Sequence, residues 1–521
     1  MSIATKVLKS HNASVELKVT LKREPKLDLS SQSNPRIFLL LQDSQGSGWI
    51  NHSHNQSEHI ENELYFIFIL EYHFEELQKI KLVVANGDIS LNLESQGSAS
   101  NEQGLIGEFV TDIGSILGKS KGILKGGLVL TERPEEDRGQ IILSGRELPP
   151  KNGKTFNLKV QGHNLQLPPL VVKPDVFYKL SRRIKGNSDI HSNMRVFHES
   201  ERRYSRNPDW SAIKLSEGDL QNGEFNDEVC LTCWQHKRDG IHKSIGECVL
   251  KIDKLLSSNK VSLIPKGELL LQCAFENTFL DYIAGGLEIR LSIAIDFTSS
   301  NRHYIYGIDL HNISCDETNY GRAIRFVGNI LENYSTDGRI PVYGFGGKFY
   351  GSEEVSHSFP LNQNYQPNVL GISGVLETYQ KALENVMLSS PTKFAPTIQS
   401  VISRLKSFAN NFKVYEVLLI ITYGLIDDME STIEAIMQAS VLPLSIVIIS
   451  VGTADRENMN KLADFKSYNW GNLKQRDIVH FVAMNDFENQ NQINKDLPKA
   501  ALEKIPSQVM DYMSQNGIIP R

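Results

Sequence analysis

An apolar run at residues 291–295 ends in Asp296-Phe297-Thr298-Ser299-Ser300. The D-x-T-x-S spacing places one carboxylate and two hydroxyls on alternate positions, so on extended backbone they project to the same side. These are hard oxygen donors, suited to Mg2+ or Mn2+ with waters completing an octahedron. Asp, Ser and Thr just past a strand also serve as helix N-caps, and the phrase alone does not choose between the two uses.

Other phrases with a chemical look fail on spacing or context. Gly114-Ser115-Ile116-Leu117-Gly118-Lys119-Ser120 would be a phosphate loop only with glycine where Ile113 stands. Gly344-Phe345-Gly346-Gly347 lacks the last dinucleotide glycine, which would fall at Phe349. Cys230 and Cys233 fall three apart in a strand pattern, so they face opposite ways and read as separate buried thiols. His52, His54 and His59 lie in a polar stretch that reads as a solvated loop. No nucleophile–base pair is visible, so an enzyme is not expected.

The elements that would position Asp296 follow a change of period along the chain. Up to about residue 275 the pattern is short and alternating, as at Val15, Leu17, Val19 and Leu21. It restarts after Pro149-Pro150-Lys151-Asn152-Gly153, at residues 155–160. Two tandem all-β sandwiches are the simplest reading. Beyond Phe279, apolar runs at 288–296, 342–345, 417–422 and 444–451 alternate with helical patterns at 320–334, 371–386, 396–410 and 428–440. A last amphipathic helix is predicted over 497–514. Strands alternating with helices predict a doubly wound α/β sheet. The expected domains are 1–148, 149–276 and 277–521.

The bulk numbers are ordinary. The chain has 521 residues and a net charge of -6, so no nucleic-acid partner is expected. Five cysteines, odd and sparse, fit a reducing compartment. The N-terminal residues show no apolar signal core, Ser2 stands where myristoylation needs glycine, and no prenylation box is present. No apolar run reaches the roughly 20 residues a membrane span requires. The expected location is cytoplasmic, peripheral to a membrane or cytoskeleton-associated. Lys179, Arg182, Arg183 and Lys185, with Arg202, Arg203 and Arg206 on the next segment, are candidates for a face that binds anionic lipid. Such cations contribute about 1 kcal/mol each near a charged surface. Glu199 and Glu201 would make the same face an ordinary solvated one.

Phe279-Leu280-Asp281-Tyr282-Ile283-Ala284-Gly285-Gly286, the strand after it and Asp296 together resemble the entry into the A domain of the copine family. Tyr343-Gly344-Phe345-Gly346, Gly371-Ile372-Ser373-Gly374-Val375, Ser390-Pro391-Thr392 and Arg476-Asp477-Ile478-Val479 continue the likeness. Earlier, Tyr72-His73-Phe74-Glu75-Glu76-Leu77 and Asn207-Pro208-Asp209-Trp210 look like C2-domain phrases. The resemblance implies two C2-like sandwiches, then a von Willebrand A-like domain, in a non-enzymatic protein that binds phospholipid and other proteins. It implies an adhesion-type Mg2+ site from Asp296, Thr298, Ser300 and Thr392, whose fifth group, an Asp, is here Tyr423. A phenol titrates near about 10 and cannot replace a carboxylate at neutral pH. Asp427 and Asp428 further on are expected to cap a helix. Of the family's calcium ligands, Asp28 and Asp88 remain in the first sandwich. In the second only Asp175 lies nearby, and Gln235, Lys237 and Lys243 stand where the family places Asp. Calcium dependence is therefore expected to be weak or lost. A constitutive structural subunit of a large assembly, cytoskeletal or ciliary for example, is the alternative role.

Overall fold

The computed structural model describes the chain except residues 1–11, 22–34, 44–47, 53–55, 61–62, 87–104, 131–134, 137, 151–152, 166, 168–173, 185–193, 221–224, 304–307, 313–316, 408–412, 453–455, 465–474 and 488. The rest divides into two compact units, residues 149–277, and residues 1–148 together with 278–521.

The second unit is a sandwich of two four-stranded sheets. One holds strands Ile213–Ser216, Thr155–His163, Glu268–Phe275 and Lys260–Ser262. The other holds Met194–Glu199, Val176–Ile184, Phe225–Gln235 and Lys243–Lys251. Phe156, Leu158 and Val160 alternate inward against Val176, Tyr178 and Leu180, the burial pattern that a period of two imposes. Trp210 is buried with its ring 5.0 Å from that of Tyr178. Cys233 and Cys248 lie in this core, and burial pushes the Cys248 thiol up to about 12.

The first unit joins a sandwich to an α/β lobe. In the sandwich, Val15, Leu17 and Val19 pair across to Leu70, Phe68 and Phe66 and face Ile37, Leu39, Ile80 and Leu82. In the α/β lobe, strand Glu288–Asp296 lies between Arg339–Phe345 and Val414–Thr422, parallel to both. Leu444–Ser450 and Val479–Ala483 extend the parallel sheet. Antiparallel Phe359–Pro360 closes the other edge. From Ile289 to Ile295 odd positions face one core, while Ala294 faces another that includes Ile398, Val401 and Ile436. Burial on both faces explains the nearly continuous apolar run.

The C-terminal helical region differs from the expected single helix. It forms two, Gln490–Leu502 and Ile505–Gln515. Pro506 stands in the first turn of the second, where its missing N–H is harmless but where it could not continue a preceding helix.

The two lobes of the first unit share one core. Phe74 packs 4.9 Å from Phe279 and 4.9 Å from Tyr334. The Tyr72 and Tyr334 hydroxyls are hydrogen-bonded to each other. The Lys119 N–H donates to the Asn333 carbonyl at 2.6 Å. A Cβ on Gly118 would stand 2.5 Å from that same carbonyl oxygen, so the approach depends on glycine.

Candidate functional site

Asp296 ends the central strand, beside the end of Val414–Thr422. From the central strand the chain passes first to one side of the sheet and then to the other, which opens a crevice at the strand ends. The Asp296 side chain is fully buried and accepts three hydrogen bonds. Its Oδ1 takes the Thr298 N–H at 2.7 Å. Its Oδ2 takes the Thr422 hydroxyl at 2.7 Å and the Tyr423 N–H at 3.2 Å. Burial raises its pKa above the ordinary carboxylate value, with these hydrogen bonds opposing the rise. Thr298 Oγ1 and Ser300 Oγ lie 2.8 Å apart.

The loop bearing Thr392 is tied to the first loop. The Ser299 N–H donates to the Ser389 carbonyl, and Thr298 and Ser389 form a parallel bridge. Gly346, with φ +70°, makes room for this crossing, since a Cβ there would lie 2.1 Å from Thr298 Cγ2. The glycines at 344, 346 and 347 are thus packing devices, with Gly344 and Gly347 clearing Phe359 and Val386.

The Tyr423 ring lies over Gly452, where a Cβ would approach Tyr423 Cδ2 to 2.4 Å. Beneath Asp296, the buried His311 places Nε2 3.0 Å from the Asp296 carbonyl and Nδ1 2.7 Å from the Tyr379 hydroxyl. Nothing in the local spacing of His311 marks it as part of this network. Asp427 and Asp428 do not cap the helix Met429–Ala439 as expected: Asp428 stands at its N-cap but makes no side-chain capping hydrogen bond there, because both carboxylates turn to the loop and helix start at residues 392–395. Asp427 accepts the Thr392 N–H at 2.6 Å. Asp428 accepts the Phe394 and Ala395 N–H groups, both at 3.0 Å, at the start of helix Ala395–Ser407. Its own helix contributes only the Thr432 hydroxyl, at 3.0 Å.

The donor set at these loops is therefore one carboxylate and three hydroxyls, with no second carboxylate at Tyr423. Such a set fits Mg2+ only with most positions taken by water. Among the described residues no group of three or more His, Cys, Asp or Glu side chains is arranged to hold a metal.

Of the predicted lipid-binding cations, the two described, Lys179 and Arg182, do not share a face. Lys179 pairs with Glu199 at 2.9 Å. Arg182 is 4% exposed and donates to the Asp219 carbonyl, so it is not available to a surface. The physical reason is the strand period, since positions three apart lie on opposite faces. Lys185 and the side chain of Arg183 lie outside the described residues, as do Asp28 and Asp88. In the second sandwich Asp175 is engaged by neighbouring side chains: Oδ2 lies 3.2 Å from His236 Nδ1 and 3.5 Å from Arg202 Nη1. Sequence reasoning named Asp175 but not these two partners, which are 27 and 61 residues away.

Two β-sandwiches and a doubly wound sheet with a D-x-T-x-S loop at its switch point define a protein of the C2 and von Willebrand A class. A family model described as Copine matches residues 309–521. Copine-C of Dictyostelium discoideum is 30% identical over 98% of this chain and 96% of its own length. Copine-D of the same organism is 31% identical over 97% and 96%. The chain belongs to the copine family. Among solved structures, the SpRpn10 VWA domain aligns with 40% of this chain and 93% of its own, at 16% identity and a TM-score of 0.25. No helix among the described residues is long and apolar enough to cross a membrane.

Proposed function

We propose that this chain is a non-catalytic adaptor whose C2-like sandwiches contact anionic membrane with calcium dependence weakened or lost. Its A-like domain engages another protein through the loop face around Asp296, Thr298, Ser300 and Thr392. The observation that carries the calcium half is Asp175. One oxygen of its carboxylate, Oδ2, already faces the Arg202 guanidinium and the His236 ring, and a fixed positive neighbour opposes a calcium ion there. At the A-like face, Asp296, Thr298, Ser300 and Thr392 would hold a Mg2+ ion, which would add positive charge to the docking surface. The chain's own contribution there is a rigid crown, in which Asp427 and Asp428 fix the second loop and Tyr423 covers Gly452.

The test is sedimentation of the full chain with anionic vesicles, in excess calcium and in chelator. Comparable binding in both supports this reading, and binding that appears only with micromolar calcium overturns its calcium half. A second reading, a constitutive subunit of a large assembly, rests on the loss of the metal-site carboxylate at Tyr423 while the packing around that residue is kept. Stable co-purification with such an assembly in chelator would support it.

A further inference from the structure

One sheet of the first sandwich ends at a free edge. Its strands run in the order Gln56–Ile60, Glu63–His73, Asn12–Leu21, Gln140–Glu147 and Ile123–Gly127, so the last has a neighbour on one side only among the described residues. The Gly145 N–H donates to the Gly122 carbonyl at 2.8 Å, and the Leu128 N–H to the Gly139 carbonyl at 2.9 Å. The register is unbroken between these points. Even-numbered residues therefore turn their backbone groups to the neighbour, and Ile123, Lys125 and Gly127 turn theirs outward. The Ile123 N–H is taken by the Ser120 carbonyl, and Glu108 closes the edge at Val129. Between those limits the outward groups of Lys125 and Gly127 meet no partner among the described residues. A Cβ on Gly127 would meet nothing within 4 Å, so another backbone has room to approach.

The side chains at this edge are not neutral. Ile123 is 59% exposed, on the face away from the core. Lys119, Lys121 and Lys125 are exposed and pair with no carboxylate among the described residues. We propose that Ile123–Gly127 receives an extended acidic segment of a protein partner, which adds a further strand to this sheet. Charge complementarity selects the occupant. A second copy of the chain would bring one lysine-bearing edge against another, and like charges opposed across strands repel. An acid opposite Lys125 and an apolar residue opposite Ile123 are both favoured, and the two stand two positions apart on the incoming strand. The surface is separate from the loops around Asp296 and needs no metal.

The experiment uses the full chain and two blocked, dye-labelled peptides. Both alternate threonine with valine, a central charged residue and isoleucine, and they differ only in whether that residue is glutamate or lysine. The glutamate peptide should bind about tenfold more tightly, read by fluorescence anisotropy. It should also slow amide exchange at Lys125 and Gly127. Lys125→Glu changes one exposed side chain and should reverse the preference. Gly127→Pro removes an outward N–H and should weaken binding about tenfold. No saturable binding of either peptide overturns the proposal, as does a preference that Lys125→Glu leaves in place. Phosphatidylserine-vesicle binding that is lost in Lys125→Glu, without peptide binding, overturns the protein partner in favour of a membrane.

Discussion

The Tyr72 hydroxyl, on a sandwich strand, is hydrogen-bonded to the Tyr334 hydroxyl, on the α/β lobe, across 262 residues of sequence. Both are buried, and burial raises both phenols well above their ordinary titration range. Tyr334→Phe leaves the Tyr72 hydroxyl without that partner, which costs about 1–3 kcal/mol. Gly118→Ala drives a methyl group into the Asn333 carbonyl and is expected to cost a similar 1–3 kcal/mol, roughly. Denaturant unfolding of the full chain reads both, and unchanged stability in both would remove this contact from the description of a shared core.

Restoring the missing carboxylate should create a firmer metal site. Tyr423→Asp is expected to raise the melting temperature when Mg2+ is added and to bind the ion at least about tenfold more tightly than the unchanged chain. The loss of the ring over Gly452 should lower its stability without metal. Calorimetric titration and thermal scans separate the two effects.

His480 gives a pH dependence with a definite sign. Burial lowers its pKa from 6.5 to about 4. The unfolded chain therefore binds a proton at this residue between pH 6.5 and 4 that the folded chain does not. The stability gained by keeping the ring neutral is fully present at and above about pH 7 and is lost as pH falls through that window. The loss amounts to up to about 3 kcal/mol. His480→Gln should show a shallower acid decline by that amount in unfolding midpoints measured at pH 7 and pH 4.5.

Arg476 is buried, and its guanidinium donates to the carbonyls of Ser440, Leu442, Leu444 and Gln508. A lysine carries a single ammonium and cannot reproduce this fork. Arg476→Lys is expected to cost about 3 kcal/mol and to loosen helix Ile505–Gln515, observable as faster amide exchange there.

Local periodicity made much of this fold legible. The strand Glu288–Asp296 was readable to its ends because both faces are buried and the apolar run stops where the loop begins. The D-x-T-x-S loop was readable from its alternate oxygens. The contact of Phe74 with Phe279 and Tyr334 was not, since no short-range pattern links residues so far apart. The inward turn of Arg182 was available in principle, because it keeps the parity of Val176, Tyr178 and Leu180, yet a cluster of charges in sequence masked it. The engagement of Asp175 depends on two loops meeting in space, which spacing does not encode.

The core shared by the first sandwich and the α/β lobe also sets a timetable for biosynthesis. At 5–20 residues per second a ribosome needs about 13 to 50 s to travel from Tyr72 to Tyr334. For that interval Phe74 and its neighbours emerge with their apolar face uncovered, while the second sandwich, a compact unit of residues 149–277, can already have closed. The nascent chain thus carries a sticky half-finished lobe for about 13 to 50 s, and holding chaperones would find their substrate on its first 148 residues.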